Sequence, residues 1–207
     1  MEDRYMYKDM SKILKDRQIG DFKLSHFIIS NHDGYAMCHG ITPGDYVRLE
    51  HRGSVLMSNT PMEKRTNEDF VTNAHGKVLI GGLGIGLILL AIQDDPMIDK
   101  ITVVEKNQEV IDLVASQLPL SDKVEIICAD VYNYVPEDFY NTIYMDIWSF
   151  INEDICYNEM YPLMDKYEQY LDINDEDRYL DCWCRYEAEH GIRIYKLRWC
   201  EMEILTL

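Results

Sequence analysis

The sequence predicts an α/β protein: a doubly wound, mostly parallel sheet preceded by a small N-terminal antiparallel β subdomain. Three observations carry that prediction. From residue 77 onward, short and almost continuously apolar runs alternate with amphipathic stretches at helical spacing, the pattern required of parallel strands covered on both faces. The first of these runs ends in Gly81, Gly82, Gly84 and Gly86, where a strand must turn sharply into a helix. Before residue 60 the rhythm differs, with strand-like runs separated by turn residues. At 207 residues the chain suits one domain with an appendage, and the division falls at 1–75 and 76–207.

Residues 5–17 place Met6, Met10, Ile13 and Leu14 on one face, predicting a short helix that Gly20 ends. FKLSHFIIS, YAMC, DYVRLEH and SVLMS predict the small antiparallel sheet, with a hairpin at Arg52-Gly53. Thr60-Pro61-Met62-Glu63 reads as a capping box, so a helix should run from there to about Ala74. KVLIG then opens the parallel sheet. A helix over 84–93, strand ITVVE, a helix over 107–116 capped by Asn107, and strands KVEIIC and NTIYMDI follow. After Asn152 a helix carries Cys156, Met160, Leu163, Met164, Tyr167 and Leu171 on one stripe, although Pro162 must kink or divide it. YLDCWCRY is a candidate fifth strand that would put Cys182 and Cys184 on one face. Residues 192–207 stay open between helix and strand.

Charge excludes one class of partner. Twenty Lys and Arg against 37 Asp and Glu give −17, which opposes nucleic acid and anionic membranes. The densest basic run, Lys8, Lys12, Lys15 and Arg17, is interleaved with Asp9 and Asp16 and reads as a solvated face. No signal-like apolar run opens the chain. The longest apolar stretch, residues 78–92, holds four glycines and is too short to span a bilayer, so a cytoplasmic protein is expected. Six cysteines then read as reduced thiols, and no His or Cys pair stands at metal-ligand spacing, so no metal is expected.

The glycine loop acquires meaning from the acids that follow it. Glu105 ends the second parallel strand, 23 residues after Gly82, at the spacing where a carboxylate accepts ribose hydroxyls. Asp130 closes the third strand and Asp146 the fourth. A pyrophosphate site would want a small residue where Leu87 stands, and no phosphate-binding lysine follows the loop. A row of carboxylates repels phosphate but suits a neutral ribose and a sulfonium cation, which points to S-adenosylmethionine.

On these residues, over roughly 77–186, the sequence resembles the class I S-adenosylmethionine-dependent methyltransferases, and more distantly spermidine synthases. The resemblance implies a Rossmann-like methyltransferase fold in which Gly82, Gly84, Gly86, Glu105, Asp130, Val131 and Asp146 hold the cofactor. It also makes Asp146 the candidate catalytic base. Trp148, Phe150 and Tyr144 are the candidate walls of a substrate pocket for a small-molecule acceptor. Three positions depart from the pattern. Ile80 stands where an acid usually precedes the loop, the loop lacks the aspartate of spermidine synthases, and Asp146-Ile147-Trp148 keeps only the first acid of their gatekeeping sequence. Eleven of fifteen tyrosines follow residue 131, among the acids of the C-terminal third, and aromatic and acidic walls suit an amine or other cation. Methyl transfer to such an acceptor is the leading expectation. Aminopropyl transfer and a repurposed cofactor-binding protein are the alternatives, and a homodimer through the small sheet's edge stays open.

Overall fold

Two sheets meet along one cleft in the computed structural model, which describes residues 7–38 and 41–196. The chain enters through α1 (Met10–Ile13), capped by the Asp9 carboxylate, which accepts from the Ser11 amide at 3.2 Å. The helix expected over 5–17 is confined to this turn among the described residues, because Arg17–Ile19 is a strand, β1. Gly20, at φ 55°, closes a two-residue hairpin from β1 to β2 (Phe22–Ile29) instead of ending a helix. YAMC is also not a strand. It lies in α2 (Gly34–Cys38), where the Asp33 carboxylate accepts from the Ala36 amide at 2.9 Å and holds a helical turn. β3 (Gly44–His51) and β4 (Ser54–Ser58) complete an antiparallel sheet of order β1-β2-β3-β4.

The helix after the small sheet is broken. α3 (Pro61–Thr66) and α4 (Glu68–Asn73) are separated by Asn67, whose side-chain amide donates to the Glu63 carbonyl at 2.9 Å and competes with the helical ladder. The capping box does not form. Thr60 bonds Ser58 through the two hydroxyls at 3.0 Å, and the Glu63 carboxylate accepts from the Ser58 amide at 3.3 Å.

The parallel sheet follows as β5 (Gly76–Gly81), α5 (Leu87–Ile92), β6 (Ile98–Glu105), α6 (Gln108–Val114), β7 (Val124–Cys128) and β8 (Thr142–Met145). β9 (Phe150–Ile151), α7 (Glu153–Ile155), a π turn at Cys156–Met160 and α8 (Tyr161–Glu168) follow beyond it. As expected, the helical stretch is divided beside Pro162, which falls in the first turn of α8 directly after the π turn. The wide turn just before it, with the Tyr161 amide bonded to the Cys156 carbonyl, accommodates the ring. β10 (Tyr179–Cys182) lies parallel to β8. Cys184 then takes a left-handed φ of 51° and starts α9 (Arg185–Glu189), so Cys182 and Cys184 do not share a strand face.

The five strands run in the order β10-β8-β5-β6-β7, all parallel, and the sequence order reverses between β5 and β8. That is the switch point of a doubly wound sheet, where the loops diverge and leave a crevice. The small sheet covers it. α6 lies against β1 and β2, with the Lys15 amide donating to Gln117 Oε1 at 2.8 Å and Arg17 to Ser116 Oγ at 3.2 Å. The last strand among the described residues, β11 (Ile194–Tyr195), pairs antiparallel with β9, and the Lys196 amide donates to the Ser149 carbonyl at 2.7 Å. This resolves 192–196; residues 197–207 lie outside the described residues. No helix among the described residues is long and apolar enough to cross a membrane.

Tyr144 belongs to the core. Its ring stacks on Phe70 of α4 at 4.3 Å and its hydroxyl donates to Asn67 Oδ1 at 2.9 Å. Tyr144→Phe leaves that buried amide oxygen without this donor, so the urea midpoint should fall by the equivalent of about 1–2 kcal/mol. An unchanged midpoint would show that the bond contributes nothing.

Candidate functional site

A cleft of about 620 Å³ opens at the carboxyl ends of β5, β6, β7 and β8, roofed by Phe22, Leu49, His51, Leu56 and Met57 of the small sheet. Its size lies within the range of small-ligand sites. Gly82 and Gly84 form its floor. At Gly82, φ is 94° and a Cβ would stand 2.5 Å from the Asp146 carbonyl oxygen, so another side chain would force β5 and β8 apart. At Gly84, φ is 52° and a Cβ would strike the Met57 thioether, which accepts from the Ile85 amide at 3.0 Å. Gly86 stands outside the cleft. It caps α5 at φ 76°, tight against Leu118.

Glu105 reaches the cleft from the end of β6 and is held rigidly. Oε2 accepts from the Leu83 amide at 3.0 Å, and Oε1 from the amide and the side chain of Asn107, both at 2.9 Å. A carboxylate offers about four acceptor positions, so three such bonds leave one. Asn107 therefore spends its side chain on Glu105 and does not cap α6 as the sequence suggested. Asp130 lies beyond β7 and accepts from the Tyr132 amide at 2.9 Å, with most of its acceptor capacity left. Lys166 of α8 donates to the carbonyls of Val131, Tyr132 and Tyr134 at 2.8, 3.0 and 2.7 Å, which fixes the loop holding Asp130 and Val131. Burial lowers the Lys166 pKa.

The far wall is Trp148, Tyr132 and Glu159. Trp148 Nε1 donates to Glu159 Oε2 at 2.7 Å and the Tyr132 hydroxyl to the same oxygen at 3.0 Å. Burial, then the bond to Glu159, pushes the Tyr132 pKa far up, so it stays a donor. Two expected pocket residues are elsewhere. Tyr144 shares a strand face with Asp146 but lies one pleat deeper, where Phe70 of α4 covers it, and Phe150 sits in β9 opposite Tyr195, so neither lines the cleft. Most described late tyrosines likewise pack or face solvent; Tyr132 is the one that lines the cleft.

Asp146 ends β8 in the cleft, but it is not alone there. Lys196 donates to its Oδ1, stands 3.6 Å from Glu63 Oε2, and lies over the Trp183 ring at 4.2 Å. The side chains of Lys196, Asp146 and Glu63 are 3, 5 and 1% exposed. Burial pulls the Lys196 pKa down, but Asp146 and Glu63 together carry it above its ordinary value. Neither Lys196 nor Glu63 was singled out from the sequence, and no local signal marks them, since one lies in an uncommitted tail and the other in an apparent helix cap. Among the described residues no cluster suited to a metal ion is found.

The fold and cleft together define a doubly wound α/β protein with a ligand-sized crevice at its switch point. No protein-family model matches the chain, and no curated protein matches it. Among solved structures it is similar to spermidine synthase from Thermotoga maritima (18% identity over 69% of this chain and 50% of that one, TM-score 0.44). It is also similar to the N-methyltransferase NodS from Bradyrhizobium japonicum WM9 (13%, 56% and 66%, TM-score 0.43) and to DhpI solved as its SAH complex (16%, 54% and 52%, TM-score 0.42). The chain thus spans between half and two thirds of the length of these proteins.

Glu63 carries a pH signature. Burial, opposed by Lys196 and reinforced by Asp146, raises its pKa from 4.5 to about 7. Folding therefore takes up a proton between those values, and the associated stability, full below the unfolded pKa, is lost as pH rises through the folded one. Relative to Glu63→Gln, the unsubstituted chain should lose unfolding free energy between about pH 5 and pH 8. Parallel profiles for the two would show that Glu63 titrates as it does in water.

Proposed function

We propose that this chain is an S-adenosylmethionine-dependent transferase that methylates a small amine or otherwise cationic acceptor. The observation that carries the reading is the charge of the cleft around the glycine loop. Asp21, Glu105, Glu109, Asp130, Asp146 and Glu159 face two ammonium groups, Lys106 and Lys196. A site so acidic disfavours pyrophosphate and favours a nucleoside that carries its charge as a sulfonium.

The residues fit such a cofactor. Glu105 keeps an acceptor position for a ribose hydroxyl, Asp130 keeps acceptor capacity for an adenine amino group, and Gly82 and Gly84 keep the floor free of side chains. Val131 packs beneath, 4% exposed. When bound, the cofactor would supply an electrophilic methyl on a sulfonium whose leaving group is a neutral thioether. The protein's own contribution is position, exclusion of water by the small sheet, and a destination for the acceptor's proton. Asp146 serves that last purpose. With no acceptor bound, Lys196 donates to its Oδ1. The same acidity favours a second reading, transfer of an aminopropyl group, because the decarboxylated cofactor carries one more net positive charge.

Calorimetry with S-adenosylmethionine, S-adenosylhomocysteine and the decarboxylated cofactor separates these readings. The first two should bind, and Glu105→Ala should weaken them by about tenfold or more. Preference for the decarboxylated form would move the assignment to aminopropyl transfer, and no binding by any would sink it. Asp146→Asn is expected to keep cofactor affinity within about tenfold while turnover of an amine panel collapses. An equal fall in both would make Asp146 a binding residue instead.

A further inference from the structure

The cluster around Lys196 has the composition of a binding site for an organic ammonium ion. Two carboxylates from distant parts of the chain, Asp146 at the end of β8 and Glu63 in α3, converge on one point, and the Trp183 indole supplies an aromatic face 4.2 Å from the cation. Carboxylates and an indole face are the two attractions by which proteins hold alkylammonium groups. The seat is buried yet continuous with the cleft, because Asp146 and Lys196 both line it. One acceptor in it is unspent: Glu63 Oε2 is fully buried, makes no hydrogen bond, and points at the Lys196 ammonium from 3.6 Å. Two carboxylates are thus present for one cation. A single ammonium bonded to Asp146 leaves Glu63 incompletely satisfied, a costly arrangement for a buried group unless a further donor arrives.

Among the described residues, the strand before Lys196, β11, pairs with β9 through two residues, Ile194 with Ile151 and Tyr195 with Phe150, and the Lys196 amide adds one bond to Ser149. So short a ladder can part without disturbing the five-stranded sheet.

We propose that Asp146, Glu63 and Trp183 form an alkylammonium seat which the chain's own Lys196 fills, and that a primary aliphatic amine takes the same seat when β11 releases. The seat stands on its own geometry; the further step, that its occupant is the acceptor for group transfer, rests on the transferase reading. Lys196 is then an internal occupant that a substrate amine must displace, and it keeps two buried carboxylates from facing each other unpaired in the meantime.

Chemical rescue tests the seat without any cofactor. In the full chain, Lys196→Ala should lower the melting temperature by about 10 °C, and n-butylamine should restore most of that loss saturably while isosteric n-butanol does not. If Lys196→Ala is recovered unfolded, refolding with n-butylamine but not with n-butanol supports the proposal, and refolding with neither overturns it. By calorimetry the folded Lys196→Ala chain, whose seat is empty, should bind n-butylamine at least about tenfold more tightly than the unsubstituted chain. Equal or absent binding in folded Lys196→Ala, or rescue by butanol as good as by butylamine, overturns the seat. Failure of S-adenosylmethionine to bind leaves this outcome untouched, so the two readings fail separately.

Discussion

At the end of β5 the chain bonds to both neighbouring strands through two consecutive glycines. Gly82 donates to the Val104 carbonyl of β6 at 2.9 Å, while the Gly81 carbonyl accepts from the Asp146 amide beyond β8, also at 2.9 Å. The backbones come so near that no Cβ fits at Gly82. The remaining site geometry depends on this contact. It lets the loops after β5 and β8 separate in opposite directions, which opens the crevice, and it brings Asp146 beside the glycine loop rather than leaving it on a remote surface. Glu105 then bonds back to the Leu83 amide and fixes the loop from the β6 side.

The small sheet gives this crevice a roof and part of its chemistry. Met57 of β4 lies against Gly84 and accepts from the Ile85 amide, so the fit of sheet to loop requires glycine on one side and an adaptable thioether on the other. α3, the next element, delivers Glu63 to the same region from below. Three segments distant in sequence, near residues 63, 146 and 196, are joined by one buried ammonium. Removing either charge leaves the other desolvated without compensation, which couples the subdomain, the sheet and the tail into one electrostatic unit.

Much of the fold was legible because parallel strands announce themselves. KVLIG and ITVVE are buried runs that have no other economical explanation, KVEIIC is a half-exposed edge strand of the same apolar character, and the glycine cluster marks where the first must turn. Local signals misled where a side chain found a different partner. YAMC alternates like a strand, but the Asp33 carboxylate captures the Ala36 amide and its carbonyl the Met37 amide, which winds the segment into a helix. Thr60 and Glu63 spell a capping box, yet both side chains turn to Ser58. Asn67 has ordinary helix propensity and breaks the helix only because Tyr144 and the Glu63 carbonyl engage its side chain. Tyr144 and Phe150 each lie two residues from a cleft residue, Asp146 and Trp148, but α4 covers the strand face at Tyr144 and the pairing of β9 with β11 takes Phe150.

By itself the sequence determined the sheet, the position of its glycine turn, and which acids stand at strand ends, since each follows from hydrophobic period and spacing within a single stretch of chain. It also determined the acidity that makes phosphate a poor ligand. Tertiary structure alone decided what those acids are bonded to: three amide donors on Glu105, an ammonium on Asp146, and a buried Glu63 beside it. The reason is physical. A strand-end position is a local property, whereas the partner of a buried charge is set by which distant segments the packing brings within a few ångströms, and no periodicity along the chain encodes that distance.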